Sequence, residues 1–252
     1  GLWCDTAARP AARLGYMTDR VLISITDGFA DVTFNRADKR NALDNAMFSA
    51  IAEAGEQLKS ESGVRAVVLS GDGASFCAGL DFSSFQAMAG GDDAASEAAA
   101  GEGSPGSMKG DRITHLGQQV CWVWQELEVP VIAAVHGHAL GGGLQIALGA
   151  DIRLVHPDTK MSVREVYWGL VPDMTGTFIL SKLVRPDIAK ELTFTARVFS
   201  GTEAAEMGLV TRLSDTPKDD AMALARGIAS MSPGAVRGSK ALFNRIVNDG
   251  AL

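Results

Sequence analysis

A glycine-rich turn between a strand and a helix is the feature that most restricts how this chain can fold. The run Val131–Val135 is short, apolar and rich in β-branched residues, which predicts a buried strand. Residues 141–143 are all glycine, and residues 144–150 have helix-forming composition. Because the first N–H groups of a helix lack partners within it, this turn predicts a site for a negatively charged oxygen. A glycine turn that serves packing alone would have the same sequence.

A second glycine-containing segment, residues 70–82, follows an apolar strand predicted over residues 64–69. Gly71 and Gly73 resemble the start of a dinucleotide-binding fingerprint. Phe76, however, stands where the third glycine would be needed for the helix to approach the strand. The segment therefore does not predict a Rossmann nucleotide site.

The two segments together resemble a known family. Residues 76–81 read Phe-Cys-Ala-Gly-Leu-Asp, residues 136–143 read His-Gly-His-Ala-Leu-Gly-Gly-Gly, and residues 35–36 and 41–43 read Asn-Arg and Asn-Ala-Leu. In this order and spacing they resemble the crotonase superfamily, also called the enoyl-CoA hydratase/isomerase family, over roughly residues 20–247. The resemblance implies an α/β fold, with a crotonase-type ββα spiral core and a C-terminal helical trimerisation region. It also implies an acyl-CoA thioester substrate of fatty acid metabolism, with no cofactor apart from the CoA of the substrate.

Composition excludes several other classes of function. A length of 252 residues suffices for one well-buried domain, and 46% of the residues are hydrophobic. The net charge of −7 without any basic cluster argues against a nucleic-acid partner. Cys4, Cys77 and Cys121 are too few and too scattered for a disulfide framework or a metal site, so we expect no metal and a reducing, cytoplasmic location. No apolar run is long enough to span a membrane, so we expect no membrane partner.

Three regions are predicted along the chain. Residues 1–17 are interpreted as a disordered extension, residues 18–190 as the spiral core that binds acyl-CoA, and residues 191–252 as a C-terminal helical region. The resemblance implies that this helical region builds a homotrimer or a dimer of trimers. Residues 86–111 have almost no large apolar side chains, which favours either a disordered surface loop or a mobile lid over the acyl pocket.

Local patterns predict the main elements. Residues 21–26 and 31–34 flank Asp27-Gly28, a hairpin signal, and Asp44 can cap a helix that ends near Gly63. A helix is predicted over residues 113–127 and a strand over residues 151–155. Further helices are predicted over residues 176–183, 186–195, 203–207, 219–230 and 233–246.

The family motif assigns two backbone groups to the thioester. A thioester carbonyl acidifies the neighbouring carbon only if its developing negative charge is stabilised, and fixed N–H donors meet that need. By resemblance, the donors are the N–H groups of Leu80 and Gly142. Ala42, Ala78 and Asp81, together with Leu80 and Gly142, are expected to line the CoA arm, mainly through their main chains.

The acidic residues decide which reaction is expected. Family hydratases use two glutamates, of which this chain keeps the second as Glu165 and has Gln145 at the first. A neutral amide cannot accept a proton at physiological pH. Asp173 supplies another carboxylate, and the pair of Glu165 and Asp173 resembles the dienoyl-CoA isomerase branch. We therefore predict that these two acids shift a double bond, with Leu80 and Gly142 holding the thioester oxygen and Gln145 orienting water or substrate.

Other interpretations stay open at this point. Glu165 with a water held by Gln145 can serve an enoyl-CoA hydratase. Asp173 resembles the nucleophile of the aryl-CoA dehalogenases, which suggests a dehalogenase or hydrolase. The chain can also be a weakly catalytic acyl-CoA binding protein. In the plainest case Asp173 is a turn residue and Glu165 a surface acid.

The histidines are interpreted as structural. His136 and His138 flank the glycine turn, but no carboxylate or cysteine ligands stand beside them in the sequence. His115 follows the predicted lid, from where it can approach the pocket, but a position on a helix surface is favoured. Cys77 is expected to be a small packing residue.

Overall fold

The computed structural model describes residues 13–81, 83, 105–108 and 113–249. Within them the chain forms a mixed α/β structure, as predicted. The strands are β1 (Arg13–Met17), β2 (Val21–Thr26), β3 (Phe29–Phe34), β4 (Ala66–Gly71), β5 (Val131–Val135), β6 (His138–Leu140), β7 (Ile152–Val155), β8 (Lys160–Ser162), β9 (Phe199–Ser200) and β10 (Arg212–Leu213). The helices are α1 (Asn45–Ser60), α2 (Leu116–Glu126), α3 (Gly142–Gly149), α4 (Gly176–Leu183), α5 (Pro186–Thr195), α6 (Gly201–Met207), α7 (Pro217–Ala229) and α8 (Pro233–Asp249), with 3₁₀ helices at Ala37–Lys39 and Glu165–Trp168.

The larger sheet has the strand order β1-β2-β3-β4-β5-β7-β10. Its first three strands are antiparallel and the others are parallel. The predicted hairpin is confirmed: Thr26 lies opposite Phe29, and both turn residues, Asp27 and Gly28, have positive φ angles.

Both faces of the parallel strands are buried. In β4, Val67 and Leu69 belong to the main core, while Ala66 and Val68 face a second cluster that includes Ala221 of α7. Burial on both faces explains why β5 and the first four residues of β4 are continuous apolar runs without alternation.

A smaller sheet contains β6, β8 and β9. Two isolated parallel β-bridges lie beside it: one joins Cys77 to Ala139 of β6, and the other joins Leu43 to Leu80. The two motif segments therefore lie side by side although some sixty residues separate them. These three strands are not predicted from the sequence, because strands of two or three residues carry no measurable periodicity.

Helix α1 begins as predicted. The Asp44 carboxylate accepts a hydrogen bond of 2.8 Å from the Met47 N–H, which satisfies one of the free donors of the first turn. Met47, Ile51 and Leu58 then follow helical spacing and are all buried in the main core.

Two of the predicted region boundaries differ from the observed elements. The predicted N-terminal extension is corrected at its end: Arg13–Met17 is strand β1 and pairs with β2, because the sheet edge offers free backbone groups. Residues 1–12 lie outside the described residues, as does the predicted lid over residues 86–111 apart from 105–108. The predicted region boundary at residue 190 falls inside helix α5, whose Leu192 is fully buried in the main core.

The C-terminal helices follow the prediction closely. Helices α4 and α5 have the predicted bounds, and α6, α7 and α8 differ from theirs by three residues or fewer. Helix α8 is attached through Lys240, whose buried ammonium contacts the Asp151 carboxylate at 2.7 Å. Of the helices that the structure describes, none is long and apolar enough to cross a membrane.

Candidate active site

The two motif segments form part of the wall of a cavity of about 570 Å³. The cavity lies beside the glycine turn, where the smaller sheet meets helix α3. Its apolar lining includes Leu43, Phe48, Leu80, Leu140, Trp168, Leu170, Val171 and Met174, and its polar lining includes His115, Gln145, Arg164, Glu165 and Asp173. A mostly apolar cavity with a few convergent polar groups is typical of a small-molecule site.

The glycine turn is shaped by close contacts. Gly141 has φ 51° and ψ −121°, a backbone conformation that side chains other than glycine rarely adopt. Gly143 packs directly on the motif segment, so that a Cβ there would lie 2.3 Å from the Cys77 carbonyl oxygen. These contacts place the start of α3 against the segment that contains Leu80.

The backbone N–H groups of Leu80 and Gly142 are both at the cavity. Among the described residues, neither of them donates a hydrogen bond. The Leu80 segment is held in place by hydrogen bonds on either side: Leu43 N–H donates to Gly79 O, and Asp81 N–H donates to Leu43 O. Gly142 is the first residue of α3, where the helix dipole is positive. Two free N–H donors at one cavity are what an oxyanion hole requires.

Glu165 places a buried carboxyl group at the same cavity. Its Oε1 accepts a hydrogen bond of 2.6 Å from Nε2 of Gln145. Its Oε2 is buried and has no hydrogen-bond partner among the described residues. Burial raises the pKa of Glu165 above its ordinary value, and the negative charge of Asp173 raises it further. The interpretation of Glu165 as an exposed surface acid is therefore wrong.

Asp173 lies in the turn that precedes α4. Its side chain is exposed, and the residue lines the cavity. Its backbone N–H donates to Val171 O, and its carbonyl oxygen accepts a hydrogen bond of 3.3 Å from Gln118 of α2. Asp173 thus belongs to a turn, and that turn brings it to the same cavity as Glu165.

The five predicted CoA-contacting positions are only partly brought together. Ala78, Leu80 and Gly142 line the cavity, whereas Ala42 and Asp81 lie beside it. The Asp81 carboxylate accepts a hydrogen bond from Ser83 and pairs with Arg36 at 2.7 Å, and these contacts hold its pKa below the ordinary value. Arg36 also donates to the Ala42 carbonyl oxygen at 2.9 Å. The Asp81 side chain therefore has a structural role.

The histidines of the glycine turn are structural, as predicted. His136 Nε2 lies 2.9 Å from Gly73 O, and His138 Nδ1 lies 2.9 Å from the Ser75 hydroxyl. Both contacts fasten the turn to the segment after β4. Cys77 is fully buried, and burial raises the pKa of its thiol to about 12, so it stays protonated as a packing residue. Among the residues that the structure describes, no group of three or more His, Cys, Asp or Glu side chains is placed to hold a metal ion.

His115 takes the less favoured of its two predicted positions. The favoured position, a helix surface, is wrong, because His115 is the N-cap of α2 and lines the cavity. Its Nδ1 accepts a hydrogen bond from the Gln118 N–H, and the Gln118 side chain accepts one from the His115 N–H. A polar residue followed three positions later by glutamine is a capping-box signal, which was available in the sequence. The cavity residues Arg164, Trp168 and Met174 had no such signal.

Comparisons with known proteins are consistent with this geometry. Residues 24–251 match the protein family described as Enoyl-CoA hydratase/isomerase. A short-chain-enoyl-CoA hydratase of Clostridium acetobutylicum is 34% identical over 230 residues, which cover 90% of this chain and 82% of that protein. A mitochondrial Delta(3,5)-Delta(2,4)-dienoyl-CoA isomerase of Mus musculus is 36% identical over 216 residues, which cover 83% of this chain and 63% of that protein.

One solved structure illustrates the likeness in fold. A crystal structure of an enoyl-CoA hydratase/isomerase from Mycobacterium paratuberculosis has a TM-score of 0.81 to this chain at 23% identity. The match covers 93% of this chain and 88% of that one. At this level of identity the likeness concerns the fold alone, and it confirms the predicted fold class.

Proposed function

The chain belongs to the enoyl-CoA hydratase/isomerase family, and we propose that it shifts a double bond in an enoyl-CoA thioester by transferring protons between carboxylates and substrate. Enzymes of this family act on acyl-CoA as lyases or isomerases. The choice of isomerase rests on one observation: Glu165 and Asp173 lie at the same cavity, and Glu165 accepts a hydrogen bond from the Gln145 amide.

Binding of the thioester oxygen is the first step. The N–H groups of Leu80 and Gly142 donate to this oxygen as negative charge develops on it. Each such donor is typically worth about 2.7–4 kcal/mol in the transition state. The backbone around Ala42, Ala78 and Asp81 follows the CoA arm in this proposal.

Proton transfer then moves the double bond. The Glu165 carboxylate removes a proton from a carbon of the acyl chain, and the electron pair of that C–H bond passes through the conjugated system to the thioester oxygen. Asp173 takes up a proton from solvent and delivers it to a second carbon, the electron pair returns to form that C–H bond, and the double bond ends in its new position. Glu165 then releases its proton to solvent, which restores both carboxylates. A raised pKa suits Glu165 for this exchange, because a carboxyl group with a pKa nearer neutrality both accepts and releases a proton.

Hydration of a trans-2-enoyl-CoA is the second candidate. It is favoured by the retained Glu165 and by the similarity to the Clostridium acetobutylicum hydratase. In this case Gln145 would help to position the water that Glu165 activates. Because an amide cannot serve as the second acid or base, the reaction would depend on Glu165 alone.

The deciding experiment offers three substrates to the purified protein: a trans-2-enoyl-CoA, a trans-3-enoyl-CoA and a 3,5-dienoyl-CoA. Products are separated by chromatography and their molecular masses are measured by mass spectrometry, because hydration adds one water and isomerisation adds no mass. We expect isomerisation that Glu165→Gln and Asp173→Asn both abolish. Hydration alone, unaffected by Asp173→Asn, would establish the hydratase instead.

The same protein distinguishes the remaining alternatives. Halide release from a halogenated aryl-CoA that depends on Asp173 would indicate the dehalogenase, and CoA release the hydrolase. Calorimetric binding of acyl-CoA without any turnover would indicate a binding protein. A homotrimer or dimer of trimers, a cytoplasmic location and the lack of any cofactor beyond the CoA of the substrate remain predictions.

A further inference from the structure

Gln145 connects three parts of the active site. Its Oε1 accepts a hydrogen bond of 2.8 Å from the Gly176 N–H at the start of α4, and its Nε2 donates to Oε1 of Glu165 at 2.6 Å. Gln145 is itself a buried residue of α3. The amide is therefore held at both ends, and its donor is directed at one of the two carboxylate oxygens.

We propose that Gln145 is a positioning residue that holds Oε1 of Glu165 and so fixes the orientation of the carboxyl group that exchanges protons with the substrate. This inference rests on the proposed function, and it replaces the predicted role of Gln145 in orienting water or substrate. It follows from the geometry, because Oε1 of Glu165 accepts a short hydrogen bond from an amide that the Gly176 N–H holds in place.

The amide also affects the readiness of Glu165 to ionise. A hydrogen bond donated to a carboxylate stabilises its charged form, so Gln145 lowers the pKa that burial raises, as do the backbone N–H groups of Glu165 and Arg164. The other titratable groups that act on Glu165 from neighbouring elements are Asp173, before α4, and Cys121, in α2. Arg164, the adjacent residue, directs its guanidinium to Ala196 O and to the Tyr167 ring. None of these groups is altered when Gln145 alone is replaced.

The test is the pH dependence of kcat/KM in Gln145→Leu. Loss of a hydrogen bond to a charged group raises the pKa of Glu165, so the acidic limb of the profile should move upward by about one pH unit. With the carboxylate no longer oriented, kcat should fall roughly 10- to 100-fold while KM changes little. A variant with a purely structural defect would lose activity without moving the acidic limb.

Gly176→Ala tests the same contact from the opposite side. A Cβ at this position would lie 2.4 Å from Oε1 of Gln145, so the amide must move although its chemistry is unchanged. We expect the acidic limb to move in the same direction as in Gln145→Leu. The matched control is Gln125→Leu, which removes an amide that donates to Gly149 O at the far end of α3 and should leave the profile unchanged.

A second measurement does not depend on turnover. In protein labelled with ¹³C at the glutamate carboxyl carbon, the resonance of Glu165 is the one that is missing in Glu165→Gln. Its titration midpoint should rise in Gln145→Leu and in Gly176→Ala relative to the unmodified protein. Unchanged midpoints in both variants would overturn the inference. Absence of turnover with every acyl-CoA would overturn the proposed function while leaving this titration to decide the role of Gln145.

Discussion

Glu165 and the exposed acid Glu128 carry the same functional group in opposite surroundings. The side chain of Glu128 is 79% exposed, whereas Glu165 is buried at the cavity. We expect Glu165→Gln to lower kcat by about 100-fold or more, because the amide accepts no proton. Glu128→Gln should leave kcat unchanged. Full activity of Glu165→Gln in a steady-state assay would exclude Glu165 from the proton transfer.

The buried carboxyl of Glu165 also predicts a pH dependence of stability. Its pKa in the folded protein lies above the ordinary value of 4.5, so the folded state binds this proton more tightly than the unfolded chain. The stabilisation is complete below the unfolded pKa and is lost as pH rises through the folded pKa. The melting temperature of Glu165→Gln, relative to the unmodified protein, should therefore increase between about pH 4 and neutral pH. A difference that is independent of pH would contradict this assignment.

At the scale of elements, neighbouring positions of the glycine turn should respond differently. A Cβ at Gly143 would lie 2.3 Å from Cys77 O, which is backbone, so Gly143→Ala should cost about 1–3 kcal/mol in the free energy of unfolding. A Cβ at Gly142 would meet only side-chain ends, Leu43 Cδ1 at 2.9 Å and Met174 Sδ at 3.1 Å. Gly142→Ala should therefore reduce kcat/KM with little change in stability. Urea denaturation and steady-state kinetics of both variants test this contrast.

At the scale of the whole molecule, Lys240 attaches the last helix to the rest of the fold. Its ammonium group donates to Trp124 O and Val129 O at 3.0 Å and 2.9 Å and pairs with Asp151. Lys240→Met should lower the free energy of unfolding by about 2–4 kcal/mol, because two carbonyls and a carboxylate lose a shared partner. Urea denaturation measures the loss. Lys190→Met, at an exposed site on α5, is the control and should unfold like the unmodified protein.

Assembly is the second prediction at this scale. Apolar side chains remain exposed on α8 and just before it, with Met231 59%, Leu242 64% and Phe243 68% exposed in the single chain. Such a surface favours burial against another protein surface. For a trimer of chains of 26.4 kDa, light scattering should give a mass of about 79 kDa or twice that value. A mass of one chain would contradict the predicted trimer.

Much of the fold was predictable because its signals are local. The hairpin at Asp27-Gly28, the cap at Asp44 and the bounds of α4 and α5 depend on residues within a few positions of each other. The strand pairings of β6, β8 and β9 were not predictable, since they depend on partners distant in the sequence. Strand β1 was not predictable for the same reason, because it is defined by its pairing with β2 at the edge of the sheet.

Residue types alone identify the family motifs, and with them the candidate site residues Leu80, Gly142, Gln145, Glu165 and Asp173. Each motif is a short run of residue types, and its chemistry depends on residue identity. The environment of each group depends instead on the fold. Burial raises the pKa of Glu165, and the Gln145 amide, on α3, donates a hydrogen bond to the Glu165 carboxyl group. Desolvation and hydrogen-bond geometry depend on which residues surround a group in space, and no local pattern of the chain encodes them.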